Sequence, residues 1–398
     1  MNHVYRIVWS AAASTWVALA EIARSLGKGA QSGRRQQARL LSRFGAPALA
    51  FAALATSPLG WAQTAIVAPG SGNASAYLAP NGVTVVNIAT PNGAGLSHNR
   101  YNQFNVDPIG LILNNASSAG AGAANIMRNS QLAGQVSANF NLSTPASVIL
   151  NEVVSNNRSR LAGFTEVLGT KADVVLANPY GITCSGCGFI NTDRVTLSTG
   201  VPFFSANGSL GGFDVGRGDI LINGTGLNAS AQQVLDLVTR SARIEAAINA
   251  QDLSITTGTN SWDYGTRTVT ASALPTDATP TVAIDSSALG GMYANRIRLT
   301  ATEAGAGVRM LGGAAATVDD FTLNAAGRIE VATQVSAKRD VLLASTSNDA
   351  AALALTGATA TAGRNLQAQA TQGGVSLDRG SLIACEQLKV GGASLGLV

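Results

Sequence analysis

Apolar residues along this chain come in short, β-branched runs that close on Gly, Asn or Pro, the signature of brief strands joined by tight turns. Residues 83–88 alternate apolar and polar positions. The stretch GLSHNRYNQFNVDPIGLILNN reads as strand, turn and strand, with Asp107-Pro108-Ile109-Gly110 at the corner. Residues 148–150 and 174–176 run into Asn, Gly or Pro, and residues 195–197, 219–222 and 253–256 repeat the arrangement. One segment, 229–250, sets Val234, Leu237 and Val238 at helical spacing, so the pattern alone admits a short helix or a strand pair there.

Past residue 290 a repeat emerges. The cores NRIRLTA, DDFTLNA, KRDVLLA, GRNLQAQ and CEQLKVG set Leu299, Leu323, Leu343, Leu366 and Leu388 at steps of 24, 20, 23 and 22 residues. A step of that size is one turn of a three-sided parallel β-helix, whose equivalent apolar residues stack inward from coil to coil. No heptad is present, which excludes a coiled coil. The Ala-, Gly- and Ser-rich stretch 63–80 reads as a cap. Trp262 and Tyr264 mark a loop or small element outside the coils, packed rather than ligand-binding.

Composition bears on order against disorder. Gly, Ala, Ser, Thr and Asn abound, and only 12% of residues are charged and 5% aromatic, which taken alone resembles low-complexity sequence. Yet 46% are hydrophobic and recur as strands, and a solenoid needs no single large core because each coil contacts only its neighbours.

Residues 1–62 are set aside as a targeting segment. Arg6, Arg24, Lys28, Arg34, Arg35, Arg39 and Arg43 accompany an apolar run over 44–59 and then Gly60-Trp61-Ala62, which suits cleavage after Ala62. The apolar run is shorter than the roughly 20 residues that span a bilayer, and it contains Pro47 and Pro58. The front end, MNHVYRIVWSAAASTWVALAEIARSLGKG, resembles the extended signal region of large two-partner exoproteins and autotransporters. Without these seven cations and Glu21, nineteen Lys and Arg face 21 Asp and Glu, so the net charge moves from +4 to −2. The remaining cations are scattered singly or in pairs, and no basic patch is left to hold a nucleic acid.

The most distinctive wording lies between residues 148 and 200. In Asn178-Pro179-Tyr180-Gly181 the proline presets a turn angle, Gly181 supplies freedom for positive φ, and the Asn amide can bond nearby backbone. ANPYGITCSGCGFINTDRVTLSTG, preceded by ASVILNEV and GLSHNRYNQFNV, resembles the secretion domain of the filamentous haemagglutinin family, the large exoproteins of bacterial two-partner secretion. That family carries Asn-Pro-Asn-Leu ahead of the ASVILNEV-like segment and Asn-Pro-Asn-Gly-Ile after it. Here these become Asn139-Phe140-Asn141-Leu142 and Asn178-Pro179-Tyr180-Gly181-Ile182, each departing once, at Phe140 and Tyr180. LGGMYANRIRLTATEAGAGVRMLGG extends the likeness to residue 313, and the likeness of QDLSITTGTN to coil-forming sequence favours strands over 229–250.

Candidate chemistry is sparse. Cys184-Ser185-Gly186-Cys187 lacks the helical setting of a thioredoxin-like site and a second ligand pair for zinc, so a local disulfide is expected, leaving Cys385 unpaired. His98, with no acid in the eight residues before it, reads as a turn or strand-edge residue rather than a ligand or catalytic group. Arg217-Gly218-Asp219 could bind integrins but reads first as a β-turn. Gly-x-Ser-x-Gly is absent in a strand-to-helix setting, and Asp319-Asp320 would alternate faces on a strand.

The resemblance implies an all-β, right-handed parallel β-helix with small extra-helical elements behind a cleaved extended signal peptide. The expected division is leader 1–62, two-partner secretion domain 63–313 and repeat region 314–398. It also implies Sec export and passage through the outer membrane of a Gram-negative bacterium by a TpsB-type partner transporter, to a secreted or surface-exposed state. No cofactor, metal or catalysis is expected. Asn139, Asn141, Leu142, Asn178, Pro179, Gly181 and Ile182 are the expected secretion motifs. An adhesin meeting a host or bacterial cell-surface receptor is one end use; the delivery portion of a contact-dependent growth inhibition toxin is the other. A polysaccharide lyase would need clustered carboxylates and basic residues along one face, which the repeat lacks. The close on LKVGGASLGLV, without a polar capping element, suggests a truncated exoprotein or gene fragment.

Overall fold

A computed structural model describes residues 5–10, 15–20, 64–118, 127–271 and 278–397, and every regular element among them is a β-strand. Two units separate at residues 59 and 60. In the first, Tyr5–Ser10 pairs antiparallel with Thr15–Ala20, Trp9 opposite Trp16. The cleavage point expected after Ala62 lies outside the described residues.

The second unit is a three-sided parallel β-helix. One coil runs from Asp173–Ala177 through Ile182–Cys184 and Cys187–Ile190, and Arg194–Ser198 begins the next. Its three segments pair in parallel with those of the neighbouring coils in three separate sheets. These sheets are called here face 1, which takes Asp173–Ala177, face 2, which takes Ile182–Cys184, and face 3, which takes Cys187–Ile190. Faces 1 and 3 are twelve-stranded and face 2 is ten-stranded. The segment 229–250, ambiguous by spacing, supplies strands to all three faces in turn: Val234–Thr239, Ser241–Ile244 and Ile248–Ala250. Stacking on finished coils overrides its weak helical period.

Alternation decides which side chains enter the core. In Arg296–Ala301 and Phe321–Ala325, Ile297, Leu299 and Ala301 stack on Phe321, Leu323 and Ala325, all buried. The expected leucine column holds from Leu299 through Leu323 to Leu343 and then shifts. Leu366 stacks on Val341, and Ala368 takes the place above Leu343. A shift of two residues keeps the same side chains facing inward, so the column changes members without exposing its apolar set. Leu388 stacks on Leu366 but is 50% exposed.

Of the stretch expected as a cap, residues 64–80 do close the first coil. Ala65–Val67 adds antiparallel to Leu96–Phe104 on face 1, and Ser75–Leu78 adds antiparallel to Thr84–Asn87 on face 3. These reversed strands cover the edges of the earliest coil. Two further elements lie outside the coils. The hairpin of Met127–Ser130 and Gly134–Ser137 covers the outside of face 3, where Val136 and Ala138 meet Val85, Ile112 and Leu168. A four-stranded antiparallel sheet, Val201–Phe204, Leu210–Val215, Asn260–Asp263 and Val269–Ala271, covers the outside of face 1. Trp262 and Tyr264 belong to this sheet and its turn, both buried.

Candidate functional site

Two corners near the start of the β-helix share one construction. At Asn178 the side-chain oxygen accepts from Tyr180 N at 2.9 Å, while Nδ2 donates to Asn157 O at 2.9 Å and to Ser159 Oγ at 3.0 Å. Gly181 N closes the turn on Asn178 O at 3.0 Å. At Asn139 the oxygen accepts from Asn141 N at 3.0 Å, Nδ2 donates to Ile88 O at 2.9 Å and Asn114 O at 3.0 Å, and Leu142 N closes the turn at 3.1 Å. Both amides are fully buried. Each therefore holds its own turn with one end and satisfies chain laid down earlier with the other, which a shorter or apolar side chain cannot do.

The residues around these amides divide into core and surface. Leu142 and Ile182 are buried in the main core. Asn141 Nδ2 donates to Asn73 O of the cap at 2.7 Å, and Asn141 O accepts from Thr90 Oγ1 at 2.8 Å. Phe140 and Tyr180, where the wording departs from the haemagglutinin family, are 71% and 40% exposed. They occupy the outward position of each turn, so the departures leave the buried contacts intact.

Gly181 has φ of +101°, which opposes any β-carbon. Its open side is filled by Arg158, which donates to Asp219 Oδ1 at 2.7 Å, Thr183 Oγ1 at 2.8 Å and Ile182 O at 2.9 Å. Asp219 is thus the acid of Arg217-Gly218-Asp219, held by an arginine from an earlier coil, and the Arg217 guanidinium lies 4.4 Å from the Tyr180 ring centre. The tripeptide packs against the Asn178 corner and does not stand out as a free loop.

Cys184 and Cys187 form a disulfide at the corner between faces 2 and 3, both buried, and Cys385 is free and exposed. His98 is not the isolated side chain that its sequence neighbours suggest. Its Nε2 lies 2.7 Å from Glu152 Oε2, one coil away and 54 residues later, and its ring sits 5.2 Å from that of Phe204. Asp319 and Asp320 lie at a corner, not on a strand, where Asp319 pairs with Arg296 and, at 3.2 Å, with Arg339. Among the described residues no three His, Cys, Asp or Glu side chains gather to hold a metal.

Sequence reasoning missed a charged cluster on the outside of face 1, beneath the antiparallel sheet. Asp236, fully buried, accepts from Arg194 Nε at 3.0 Å and Arg267 Nε at 2.8 Å. Arg194 also donates to Tyr264 O at 2.8 Å, and its guanidinium lies 3.9 Å from the Tyr264 ring centre. Tyr264 Oη donates to Asp173 Oδ2 at 3.0 Å. Burial raises the Asp173 carboxyl above its ordinary range, more than the Tyr264 hydrogen bond and Arg194 lower it. Asp236 and its two arginines are 31 to 42 residues apart in sequence and Tyr264 is 91 from Asp173, so no local motif announces the cluster.

Comparison with known proteins adds the context. A family model described as the TPS secretion domain matches residues 66–331, and one described as the extended signal peptide of the type V secretion system matches residues 1–50. The 16S rRNA endonuclease CdiA of Enterobacter cloacae subsp. cloacae is 47% identical over 279 residues, 69% of this chain and 8% of that protein. Toxin CdiA of Yersinia pestis is 42% identical over 350 residues, 85% of this chain and 10% of that protein. This chain thus spans a tenth or less of the length of those relatives. The solved filamentous hemagglutinin secretion domain aligns with a TM-score of 0.55 and 32% identity, covering 84% of this chain and all of that one.

Proposed function

The chain belongs to the TPS secretion-domain family, and on that premise we propose that it is the amino-terminal, exported part of a TpsA-type exoprotein. Residues 1–62 direct Sec export across the inner membrane, and a TpsB-type transporter in the outer membrane of a Gram-negative cell receives the segment that follows. The observation that carries this reading is the asymmetry of the β-helix. Its first coil is closed by reversed strands, and each later coil pairs in parallel with the one before it. A chain that emerges amino-terminus first can cap itself, build coils at the Asn139 and Asn178 corners, and offer each finished edge as the template for the next. Folding outside the cell then draws the chain outward. We assign the secretion role to Asn139, Asn141, Leu142, Asn178, Pro179, Gly181 and Ile182, which shape those first corners.

The test is the ratio of secreted to cell-associated protein, made together with the partner transporter. Asn178→Ile and Gly181→Val should lower it, with the precursor degraded in the periplasm, while Leu366→Ala in a late coil should lower it less. Corner variants secreted as well as the parent, with only the late-coil variant failing, would refute the templating role.

The CdiA relatives favour a second reading, in which this segment delivers a contact-dependent toxin. One is named as a 16S rRNA endonuclease and the other as a toxin, but the shared stretch is about a tenth or less of their length, so we place no catalysis in these residues. The adhesin reading gains little from Arg217-Gly218-Asp219, whose acid is held by Arg158. Growth competition between cells making the whole exoprotein and sensitive neighbours separates the two: killing supports delivery, and binding without killing supports adhesion.

A further inference from the structure

The antiparallel sheet over face 1 is assembled from two distant pieces of chain. Val201–Phe204 and Leu210–Val215 leave the β-helix between faces 1 and 2 of one coil, and residues 260–271 leave it at the same corner two coils later. The pieces meet through Phe213 and Trp262, which pair across the strands with ring centres 6.0 Å apart. Below them, Phe213, Val215, Trp262 and Tyr264 pack on Leu96, Leu150, Val175, Ala177 and Val238 of face 1. The charged cluster extends this grip. Tyr264 reaches back to Asp173, Arg194 joins Tyr264 to Asp236, and Arg267 joins Asp236 to Asp252 at 3.2 Å. Asp252 in turn accepts from Arg298 at 2.8 Å. Together these contacts span seven consecutive strands of face 1, from Leu96–Phe104 to Arg296–Ala301.

The turn that delivers Arg267 is built for the purpose. Arg267 has φ of +59°, an unfavourable conformation for a residue with a β-carbon. It is held there by Arg267 N on Asp263 O and Asp263 N on Thr268 O, both 3.0 Å, and by Thr266 N on Asp263 Oδ1 at 2.7 Å. Asn or Gly would fill such a turn without strain. The arginine is explained by what its side chain does, which is to enter the space between Asp236 and Asp252.

We propose that the hairpin 260–271 is a latch. It closes only after Asp252–Thr257 has been laid down, because Asp252 is part of its seat, and on closing it joins the coils from Leu96 to Asp252 into one cooperative block, to which Arg298 is tied when the next coil adds. Until then the coils bind only their neighbours and can peel from the growing end. Afterwards, peeling requires the whole block to open, so coil addition becomes one-way at this point. The latch itself rests on the geometry above; its use in export rests on the secretion reading already given.

Arg267→Gly tests the latch in the purified, folded chain by amide hydrogen exchange. If Arg267 served only its turn, glycine would relieve the positive φ and exchange would slow or stay unchanged. A latch predicts the opposite. Exchange should speed by roughly tenfold or more, and together, in Asp173–Ala177, Arg194–Ser198 and Val234–Thr239, with Val341–Ser345 and Asn365–Ala370 unchanged. Arg309→Ser, which removes an exposed ion pair with Asp285 on face 2, should leave all five strands unchanged. Faster exchange confined to residues 260–271, or spread evenly through the late coils, would overturn the latch. The secreted fraction of Arg267→Gly, measured with the transporter, is a separate readout. Faster exchange with normal secretion would keep the latch and remove its role in export.

Discussion

The guanidinium of Arg158 occupies the space that a β-carbon on Gly181 would need, and it is held there by Asp219. Gly181→Val therefore carries two penalties: side-chain strain at φ of +101°, and displacement of an arginine that bonds two coil segments, Ile182–Cys184 and Asp219–Ile222. The expected loss is about 1–3 kcal/mol from the backbone alone, with more from the displaced ion pair. Arg158→Ala in the same background should recover part of the loss by vacating the site. Denaturant midpoints of the three proteins check this, and a double variant no better than Gly181→Val would sink the steric argument.

Asn178 invites a sharper substitution than deletion. Asn178→Ala loses the amide bonds and leaves Asn157 O and Tyr180 N unmet, an expected loss of about 1–3 kcal/mol. Asn178→Asp keeps the acceptor for Tyr180 N but turns a carboxylate oxygen toward Asn157 O, where the amide had donated. At neutral pH the aspartate variant should be the less stable of the two, since a buried unpaired charge costs more than a missing bond. Its deficit should shrink in acid, where the protonated carboxyl can donate again. Thermal unfolding of both variants near pH 7 and pH 4 is the measurement, and an aspartate variant that is the more stable at pH 7 would overturn this account.

What could be read in advance follows from the range over which each feature is encoded. Strand runs, Gly and Asn corners and the step between coils are local, so the architecture was legible, and so was the cap. The leucine column was legible only in part. Its spacing of 23 residues between Leu343 and Leu366 suggested continuity, but the corner between them takes up extra chain and the register moves by two to Val341. A shift that leaves inward residues inward has no signature in the apolar pattern. At the Asn139 and Asn178 corners the residue types suggested turns, yet their reach into earlier coils is a tertiary fact. The Asp236 cluster and the His98–Glu152 pair were illegible because their partners lie 31 to 91 residues apart.

Asp173 gives a pH dependence of definite sign. Its carboxyl is raised in the folded chain, chiefly by burial, so its contribution to stability is fullest below the ordinary carboxylate value and is lost as pH rises through the raised one. Asp173→Asn keeps an acceptor for Tyr264 Oη and removes the half-buried charge. The variant should be at least as stable as the parent at pH 7, with its relative advantage disappearing in acid. Stability measured from pH 3 to pH 7 in both proteins decides it. A variant weaker at pH 7 would mean that attraction to Arg194 outweighs desolvation.

The three cysteines should separate by access. Cys184 and Cys187 are joined and buried, whereas Cys385 is free and exposed. Alkylation of the native exported chain should therefore label Cys385 alone, and peptides mapped without reduction should retain the Cys184–Cys187 link. The bond closes a loop with only two residues between the cysteines, for which chain entropy provides at most about 2 kcal/mol. Replacing both with Ala should accordingly shift the denaturant midpoint modestly, with further loss from the two buried side chains. Because the corner is also held by Ser185 N on Leu161 O at 2.8 Å and Gly186 N on Gly226 O at 2.9 Å, the double variant should still fold and be secreted. Free thiols at both Cys184 and Cys187 in exported protein, or collapse of folding in the double variant, would contradict this.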